Sequence, residues 1–506
     1  MSKKILGIEL GSTRIKSVLI DERGTVLSTG IFEWENTLVD GLWSYSLEDA
    51  ERGVRESYSQ LVKNYGQAIE NFDAIGVSAM MHGYLAFDKY GKQLVPFRTW
   101  RNTNTGEAAQ KLSELFSFNV PLRWSVSQYY QSFLDGMEHV KNVAHLTTLA
   151  GYIHFKLTGQ NVLGADDASG MFPLDGRDYN GQMLAKLNAL IGRDFKELLP
   201  KVLLAGENAG TLTEEGALFL DPTGTLKAGA ICCPPEGDMG TGMVATNSVL
   251  PKTANISSGT AANCTVVLEK PLKNYYKEID IVSTPDGFPA ALIHTNNCTT
   301  EINEWVNLFS EVVELCGLNI GKGQLFEKLF NKSLESDEKV GKLTGYNYLA
   351  GEPLAGTKNG APLILRPSDG HLSLANFMQM HIYSAISALA LGMDILKSEG
   401  VKMESVMAHG GFYKTPFVGQ NATSAVLGAP VTVMETAGEG GAYGIALLAG
   451  YALTKGLSLP DYLNKIFADA GKKIVSANEC EKAKFTNFIA AYKRCLPVER
   501  LASEVR

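Results

Sequence analysis

Short apolar runs that end in polar, glycine-containing turns recur along the chain and alternate with amphipathic segments. The first run, residues 6–10, passes through a polar turn into a returning strand, residues 17–20, and this strand with a second polar turn and residues 25–30 predicts a β-hairpin. Further on, apolar positions follow Ser46 at helical spacing up to Tyr65, after a start that resembles a capping box. This alternation of strands and helices predicts an α/β fold.

The same strand, turn and returning strand occur a second time, near the middle of the chain. Residues 254–268 contain the turn Ser258-Gly259-Thr260 between two β-rich runs. A chain of 506 residues is long enough for more than one domain. We therefore predict two similar domains, residues 1–249 and residues 250–506.

Composition and charge exclude several classes of protein. Lys and Arg number 46 against 54 Asp and Glu, which leaves a net charge of -8 and no basic field for nucleic acid. The longest apolar stretches, residues 385–393 and 441–453, are too short to cross a bilayer. The first four residues lead into a strand instead of a signal-peptide core. We expect a cytoplasmic protein that binds neither nucleic acid nor membrane.

The seven cysteines show neither a C-x-x-C pair nor metal-ligand spacing. Free cysteine is among the most buried residue types, so we expect reduced thiols, most of them in the core.

The turn after the first strand has the chemistry of a phosphate-binding loop. Gly11 allows main-chain amides to approach a ligand, and Ser12 and Thr13 add hydroxyl donors. Glu9 is placed to hold Mg2+ through water, while Arg14 provides a positive charge for phosphates. An ordinary hairpin explains this segment alone equally well. The second copy, with Gly259 and Thr260, favours the phosphate interpretation.

Two further turns follow predicted strands. Residues 72–78 form a strand that places Met81-His82-Gly83 at its carboxyl end, where open α/β sheets bind ligands. A lone histidine is more often structural, so position is what favours His82. Gly410 and Gly411 follow a strand at 405–408 and precede a predicted helix.

That helix spans residues 415–427, and a glycine pair before a helix N-terminus suits an adenosine or its phosphates. A tight turn without any ligand is the alternative. Residues 439–449 predict another helix, with a face of small residues for close packing.

Asp238 is the candidate general base. It lies among Gly237, Gly240 and Gly242, just before the second phosphate turn, and the glycines leave room for a substrate beside its carboxylate. Near a phosphate site such a carboxylate suits removal of a proton from an attacking hydroxyl. A turn in a surface loop is the alternative.

In this order, the segments resemble the FGGY family of carbohydrate kinases, most closely its xylulokinase-like members, over nearly the whole chain. Further segments contribute to the resemblance: Trp100 with its polar neighbours, Leu157-Thr158-Gly159, Asp167-Ala168-Ser169-Gly170, Gln420 and Leu427-Gly428. The resemblance implies two actin-like, ribonuclease-H-like domains that flank a deep catalytic cleft. It also implies phosphorylation of the terminal hydroxyl of a small sugar, such as xylulose, by ATP with Mg2+.

The resemblance further implies a role for each candidate residue, with the N-terminal domain binding mainly sugar and the C-terminal domain mainly ATP. Asp238 is the expected catalytic base, and Glu9 and Asp238 are the expected Mg2+ contacts through water. The expected sugar contacts are Met81, His82, Gly83, Trp100, Arg101, Asn102 and Asp238. The expected ATP or phosphate contacts are Gly11, Ser12, Thr13, Arg14, Gly259, Thr260, Gly410 and Gly411.

Three departures from the family pattern bear on the substrate. The first acid is Glu9 where the family usually has Asp, and Trp100-Arg101-Asn102 lacks an acidic sugar contact. Pro234, Pro235 and Glu236 replace glycines before Asp238 and place a second acid near the base. Other family substrates, namely ribulose, gluconate, glycerol or erythritol, therefore stay open. A catalytically silent sensor of nucleotide and sugar is the alternative of a different class, and the net charge is compatible with a homodimer.

Overall fold

The computed structural model describes residues 2–434, 440–468 and 471–505. The chain divides into two compact units. Unit 1 comprises Met1–Leu250, Asn274–Ala290 and Gly438–Ala470, and unit 2 comprises Pro251–Lys273, Ala291–Ala437 and Gly471–Arg506. The units therefore differ from a single division at residue 249, because residues 274–290 and 438–470 pack with unit 1. The separate roles expected of the two domains stay a prediction.

The strands are numbered in chain order: β1 (Ile5–Leu10), β2 (Arg14–Ile20), β3 (Val26–Glu33), β4 (Thr37–Val39), β5 (Leu42–Ser44), β6 (Ala74–Ala79), β7 (Leu85–Phe87), β8 (His145–Thr147), β9 (Val162–Gly164), β10 (Leu174–Asp175), β11 (Asp178–Tyr179), β12 (Lys201–Leu203), β13 (Ile231–Cys232), β14 (Glu236–Gly237), β15 (Thr253–Ser258), β16 (Ala262–Val267), β17 (Asp280–Ser283), β18 (Pro289–Thr295), β19 (Thr344–Tyr346), β20 (Leu363–Leu365), β21 (Ser405–His409), β22 (Val431–Met434) and β23 (Lys472–Val475).

The α-helices are α1 (Leu47–Tyr65), α2 (Gly106–Phe116), α3 (Ser125–Leu134), α4 (Leu149–Thr158), α5 (Ala165–Ser169), α6 (Gly181–Ile191), α7 (Glu214–Leu220), α8 (Asp238–Ala245), α9 (Thr300–Leu315), α10 (Lys322–Ser333), α11 (Leu374–Ser398), α12 (Val418–Leu427), α13 (Gly440–Ala452), α14 (Leu459–Ile466) and α15 (Glu479–Glu504).

The main sheet of unit 1 has the order β13-β6-β1-β2-β3, and β14 also pairs with β6. β1 runs antiparallel to β2 and parallel to β6, with Glu9 opposite Lys16 on one side and Ser78 on the other. Because both faces of β1 are covered, its side chains are buried almost without alternation. The carboxyl ends of β1 and β6 therefore lie at one edge of the sheet, where the candidate residues follow.

Helix α13 lies against this sheet at very short distance. A Cβ added to Gly7 would come within 2.1 Å of the Ala442 carbonyl oxygen, and one on Gly76 within 2.7 Å of Ile445. The expected close packing of the small-residue helix is therefore present. Its described part begins at Gly440, and Glu439 lies outside the described residues.

The main sheet of unit 2 repeats this arrangement, in the order β18-β16-β15-β21-β22-β23. β15 runs antiparallel to β16 and parallel to β21, as β1 does to β2 and β6. The predicted duplication of the strand-turn-strand design is confirmed, and the turns after β15 and β21 share one edge of this sheet.

The helix that the sequence predicts from a capping residue, α1, begins where that residue indicates. Ser46 accepts a hydrogen bond of 3.1 Å from the main-chain N–H of Asp49, and α1 follows as predicted. Helix α12 begins three residues later than predicted, at Val418, because Pro416 and the left-handed Phe417 (φ 72°) precede it. It ends at Leu427, as predicted, and its C-cap Gly428 is left-handed (φ 75°).

Four of the cysteines are buried, namely Cys232, Cys233, Cys264 and Cys298, whereas Cys316 and Cys480 are exposed. Across the part of the chain that the structure describes, no helix combines the length and the apolar character that crossing a membrane requires.

Candidate active site

The turn after β1 is fixed by two aromatic side chains. The indole Nε1 of Trp34 donates to the carbonyl oxygen of Gly11 at 2.7 Å, and the Tyr45 hydroxyl donates to that of Ser12 at 2.6 Å. Their rings pack with centroids 4.3 Å apart. The side chains of Ser12, Thr13 and Arg14 are exposed. The carbonyl oxygens of the turn are thus held from behind, and its hydroxyls face outward.

Glu9, at the end of β1, reaches the first turn of α13. Its Oε2 accepts a hydrogen bond of 3.1 Å from the N–H of Ala442, and a Cβ on Gly441 would lie 2.5 Å from its Oε1. A helix N-terminus stabilises a negative charge. Burial and the charge of Asp238 raise the pKa of Glu9, while the Ala442 N–H, Lys16 and Arg14 lower it. The two carboxylates are therefore close enough to repel each other.

Asp238 is the first residue of α8, after the N-cap Gly237. Its Oδ1 accepts a hydrogen bond of 3.2 Å from the N–H of Met81. The side chain is accessible to solvent although protein surrounds it on most sides, and this desolvation raises its pKa. Main-chain N–H groups and the charge of Arg123 lower the pKa. The carboxylate is thus held beside the segment at the end of β6.

That segment has an unusual backbone. His82 and Gly83 are both left-handed, with φ of 71° and 93°. The His82 imidazole is buried, with Nδ1 3.4 Å from the Gly170 carbonyl oxygen, and a Cβ on Gly170 would lie 2.6 Å from Nδ1. Burial and the charge of Arg123 hold the pKa of His82 well below its usual range. His82 is therefore neutral at physiological pH.

The Trp100 segment divides into an accessible ring and two side chains with structural contacts. Trp100 is 42% exposed. The Arg101 guanidinium lies 4.0 Å from the centroid of the Trp43 ring and donates to Asn36 at 3.0 Å. Asn102 is buried, and its amide pairs with both the N–H and the carbonyl oxygen of Trp43 at 2.8 Å. The polar atoms of Asn102 are therefore already used within the fold.

An ion pair that the sequence did not reveal lies next to Asp238. The Arg123 guanidinium pairs with the Asp280 carboxylate, which also accepts a hydrogen bond of 2.7 Å from the Asn119 amide. Arg123 and Asn119 belong to segments without any motif, and Asp280 lies far along the chain. Asp280 begins a short strand, and that position in the sequence does not indicate a role in the site. Through its charge, Arg123 acts on both His82 and Asp238.

A group of buried carboxyls underlies α8. Asp166 Oδ2 accepts a hydrogen bond of 2.9 Å from the N–H of Gly240, and Asp167 pairs with the Thr148 hydroxyl. Burial raises the pKa of Asp166 well above its usual range and that of Asp167 to about 7. Asp166 therefore holds the start of α8 from within the protein, whereas Asp167 is bonded to Thr148, the N-cap of α4. Of these two aspartates, only Asp167 belongs to a segment that contributes to the family resemblance.

Glu236 belongs to the same buried group. Its carboxyl fills the space beside Gly164, where a Cβ would lie 2.0 Å from Glu236 Cδ. Only 1% of the residue is exposed. The sequence predicts a second acid near the base and, from it, a shifted substrate preference; the structure places this acid in the interior beside Gly164, and the substrate preference stays a prediction.

In unit 2 the two glycine turns touch. Gly410 (φ 107°) passes so close to the turn after β15 that a Cβ would lie 2.3 Å from the Ser258 carbonyl oxygen. The Gly259 carbonyl oxygen accepts from the N–H and the hydroxyl of Thr299 at 3.0 and 2.7 Å. By contrast, among the residues that the structure describes, a Cβ on Gly259 or Gly411 would meet no neighbouring atom within 4 Å. Within the described part of unit 2, both turns therefore have space beside them.

Comparison with known proteins gives a consistent family assignment. Residues 4–222 match the N-terminal domain of the FGGY family of carbohydrate kinases, and residues 254–453 match its C-terminal domain. The chain is 22% identical to the xylulose kinase of Haemophilus influenzae over 474 residues, 89% of this chain and 91% of that protein.

Solved structures show the same fold at low identity. The xylulose kinase from Rhodospirillum rubrum superposes with a TM-score of 0.82 at 16% identity, over 99% of this chain and 100% of that one. The gluconate kinase from Lactobacillus acidophilus gives 0.81 at 17% identity, over 99% of both chains. The chain therefore belongs to the FGGY family of carbohydrate kinases, and it is a sugar phosphotransferase with the actin-like fold of that family.

Proposed function

We propose that this kinase transfers the γ-phosphoryl group of ATP to the terminal hydroxyl of a ketopentose such as xylulose, with Asp238 as general base. The observation that carries the proposal is the placement of Asp238, a solvent-accessible carboxylate at a helix start, hydrogen-bonded to Met81 and within electrostatic reach of Glu9 and Arg123. The xylulose kinases among the relatives support the choice of sugar. The gluconate kinase neighbour makes sugar acids the first competing class.

Phosphoryl transfer requires little from the protein beyond correct positioning of the reactants and suitably placed charges. Asp238, unprotonated, accepts the proton of the sugar hydroxyl while that oxygen attacks the γ-phosphorus. The bond from phosphorus to the oxygen it shares with the β-phosphate breaks, ADP leaves, and Asp238 releases the proton to solvent. Such a base contributes about 10² to 10⁴ in rate. The Met81 N–H and the Arg123 charge favour the ionised base that this step requires.

Sugar contacts are assigned to the elements around Asp238. Met81, His82 and Gly83 follow β6 beside Asp238 and are assigned to one side of the sugar, and the accessible ring of Trp100 is assigned to it as an apolar surface. Because Asn102 is hydrogen-bonded to Trp43 and Arg101 lies on the Trp43 ring, we propose that both hold Trp100 in position.

ATP contacts are assigned to the glycine turns. Gly259, Thr260, Gly410 and Gly411 lie in the turns at one edge of the unit 2 sheet, and a Cβ on Gly259 or Gly411 would meet no neighbouring atom of the described residues within 4 Å, which suits a nucleotide that approaches the main chain closely. The exposed turn Gly11, Ser12, Thr13 and Arg14 in unit 1 is proposed for the phosphates, because its donors face outward.

A magnesium ion fits the carboxylate pair. Glu9 and Asp238 repel each other, and an Mg2+ ion reached through water would relieve that repulsion. No group of three His, Cys, Asp or Glu side chains suited to a metal occurs in the described ranges. Phosphate oxygens and water would therefore supply most ligands. When bound, Mg2+ supplies charge neutralisation at the phosphates.

ADP release with ATP and Mg2+ over a panel of D- and L-xylulose, D- and L-ribulose, glycerol, erythritol and gluconate tests the proposal. Asp238→Asn should lower kcat for the accepted sugar by about 10² or more while ATP still binds. The matched control is Asp175→Asn, an exposed carboxylate of unit 1. Full activity in Asp238→Asn would contradict the role of the base. If the unchanged protein binds ATP but releases no ADP with any compound of the panel, the sensor hypothesis is favoured.

A further inference from the structure

A basic groove of about 650 Å³ lies in unit 2, between the segment that leads into β19, the segment that follows β20, and helix α15. Its cationic side chains are Lys339, Lys342, Arg366 and Arg494. Unlike the glycine turns, it contains none of the residues proposed for ATP. The chain as a whole has a net charge of -8, so these cations form a local basic patch on an acidic protein.

Most of this positive charge is not neutralised within the groove. Asp369 is the one carboxylate along its lining; it pairs with Lys342, and the charge of Lys339 also acts on it. For Lys339, Arg366 and Arg494, no ion pair is found in the portion of the chain that the structure describes. Guanidinium groups bind phosphate through paired N–H donors, so two arginines and a lysine at one groove favour an anionic ligand with phosphate oxygens.

The lysines are carried by a strained but fixed backbone. Val340, Gly341 and Lys342 are consecutively left-handed, with φ of 50°, 62° and 56°. Asp337 holds this segment, because its Oδ1 accepts from the N–H groups of Lys339 and Gly341 at 3.0 and 2.9 Å. Strained conformations of this kind persist where the surroundings enforce them, and they cluster at binding sites.

Apart from Thr344, Asn487 and Cys495, the rest of the lining is apolar. Leu343, Leu365, Pro367, Phe488 and Ala491 lie among the cations. Small-molecule sites commonly combine an apolar lining with a few charged groups, in volumes of about 300 to 1,000 Å³. The groove is therefore suited to a molecule with both a phosphate group and an apolar body.

We propose that this groove is a second ligand site, which binds a phosphorylated small metabolite apart from the site of phosphoryl transfer. Its phosphate lies between Arg366, Arg494 and Lys339, and its apolar part lies on Leu365 and Phe488. The proposal does not depend on Asp238 or on the identity of the sugar.

Calorimetric titration of the full chain with phenyl phosphate tests the site. Saturating ATP is present so that the nucleotide site is occupied, and inorganic phosphate is the second probe. We expect saturable binding of phenyl phosphate that is tighter than that of inorganic phosphate. The double variant Arg366→Glu and Arg494→Glu should weaken it by at least about tenfold, because both charge-assisted contacts are reversed.

The double variant Lys328→Glu and Lys397→Glu is the matched control, since it changes the net charge equally at exposed positions of α10 and α11 outside the groove. It should bind within about twofold of the unchanged protein. Thermal unfolding of every variant shows independently that it is folded. Absence of saturable binding, equal loss in both double variants, or equal affinity for the two probes would overturn the proposal.

Discussion

The carboxylate of Glu9 accepts a hydrogen bond from the main-chain N–H of Ala442 in the first turn of α13. Gly441 beside it leaves the room that the longer acid needs, since a Cβ there would lie 2.5 Å from Glu9 Oε1. Glu9 and α13 are thus fitted to each other. The extra methylene, relative to the usual aspartate of the family, is accommodated by the protein and leaves the carboxylate close to Asp238.

We therefore expect Glu9→Asp to lower activity, although it restores the residue usual in the family. The side chain shortens by one C–C bond, about 1.5 Å, so the bond to Ala442 is lost and the carboxylate withdraws. The value of kcat/KM at low Mg2+ should fall by about tenfold and recover partly at high Mg2+. ADP release measured against Mg2+ concentration checks this.

Glu9→Gln is the control for length, because it keeps an acceptor for Ala442 and removes the charge. Its activity should fall at every Mg2+ concentration. A gain of activity in Glu9→Asp from an inactive parent protein would instead support the sensor hypothesis.

Arg123 and Asp280 should shift the pH dependence of turnover in opposite directions. The positive charge of Arg123 lowers the pKa of Asp238. Arg123→Gln therefore raises that pKa, and the acidic limb of the kcat profile moves to higher pH. Asp280→Asn leaves Arg123 without its counter-charge, so the limb should move to lower pH.

Profiles of kcat against pH under saturating substrates measure both shifts. Arg177→Gln removes a charge that pairs with Glu207 elsewhere in unit 1 and should leave the limb in place. Shifts of the same sign in Arg123→Gln and Asp280→Asn would contradict this electrostatic account.

The sequence predicted the features that depend on local pattern. The strand, turn and returning strand of β1 and β2, their repeat in β15 and β16, and the start of α1 at Ser46 follow from alternation, turn residues and capping, which act over a few positions. The proximity of Glu9 and Asp238 was implied only by the family resemblance, because it depends on how β1 and α8 pack.

Contacts between distant segments without motifs were not predictable. The pair of Arg123 and Asp280 needs the return of residues 274–290 to unit 1, which no local pattern indicates. Glu236 points inward because Gly164 leaves space for it. The amide of Asn102 is hydrogen-bonded to the main chain of Trp43. In each case the residue type indicates which interactions the side chain can form, but packing alone decides where the side chain points.

Substitutions at the neighbouring Gly410 and Gly411 should distinguish an effect on nucleotide binding from an effect on folding. Gly411→Ala adds a methyl group to open space, so it should leave stability almost unchanged and raise the Kd for ATP if a nucleotide lies there. Gly410→Ala meets the Ser258 main chain and requires a left-handed alanine, so it should destabilise unit 2 by about 1 to 3 kcal/mol.

Equilibrium unfolding and ATP titration of the two variants provide the test. Gly323→Ala in α10, also beside open space, is the control and should change neither ATP binding nor, beyond a small gain from helix propensity, stability. Unchanged ATP affinity in Gly411→Ala would contradict the nucleotide assignment of this turn.

Glu499 should make stability depend on pH. It lies on α15 and is fully buried, and neither carboxyl oxygen has a hydrogen-bond partner in the part of the protein that the structure describes. Burial raises its pKa to about 7, from 4.5. Between these values the folded protein keeps a proton that the unfolded chain releases. Folding therefore weakens as pH rises through this window, by up to about 1.4 kcal/mol per pH unit, and the loss is constant above it.

Glu499→Gln cannot ionise and should remove this contribution. Its free energy of unfolding should be close to that of the unchanged protein at about pH 4.5, and should exceed it increasingly up to about pH 7. Denaturant unfolding across this range measures the difference. Glu504→Gln, an exposed acid at the end of the same helix, should follow the unchanged protein at every pH. If the two variants behave alike, Glu499 is compensated in the folded state, and the buried carboxyl costs no stability at neutral pH.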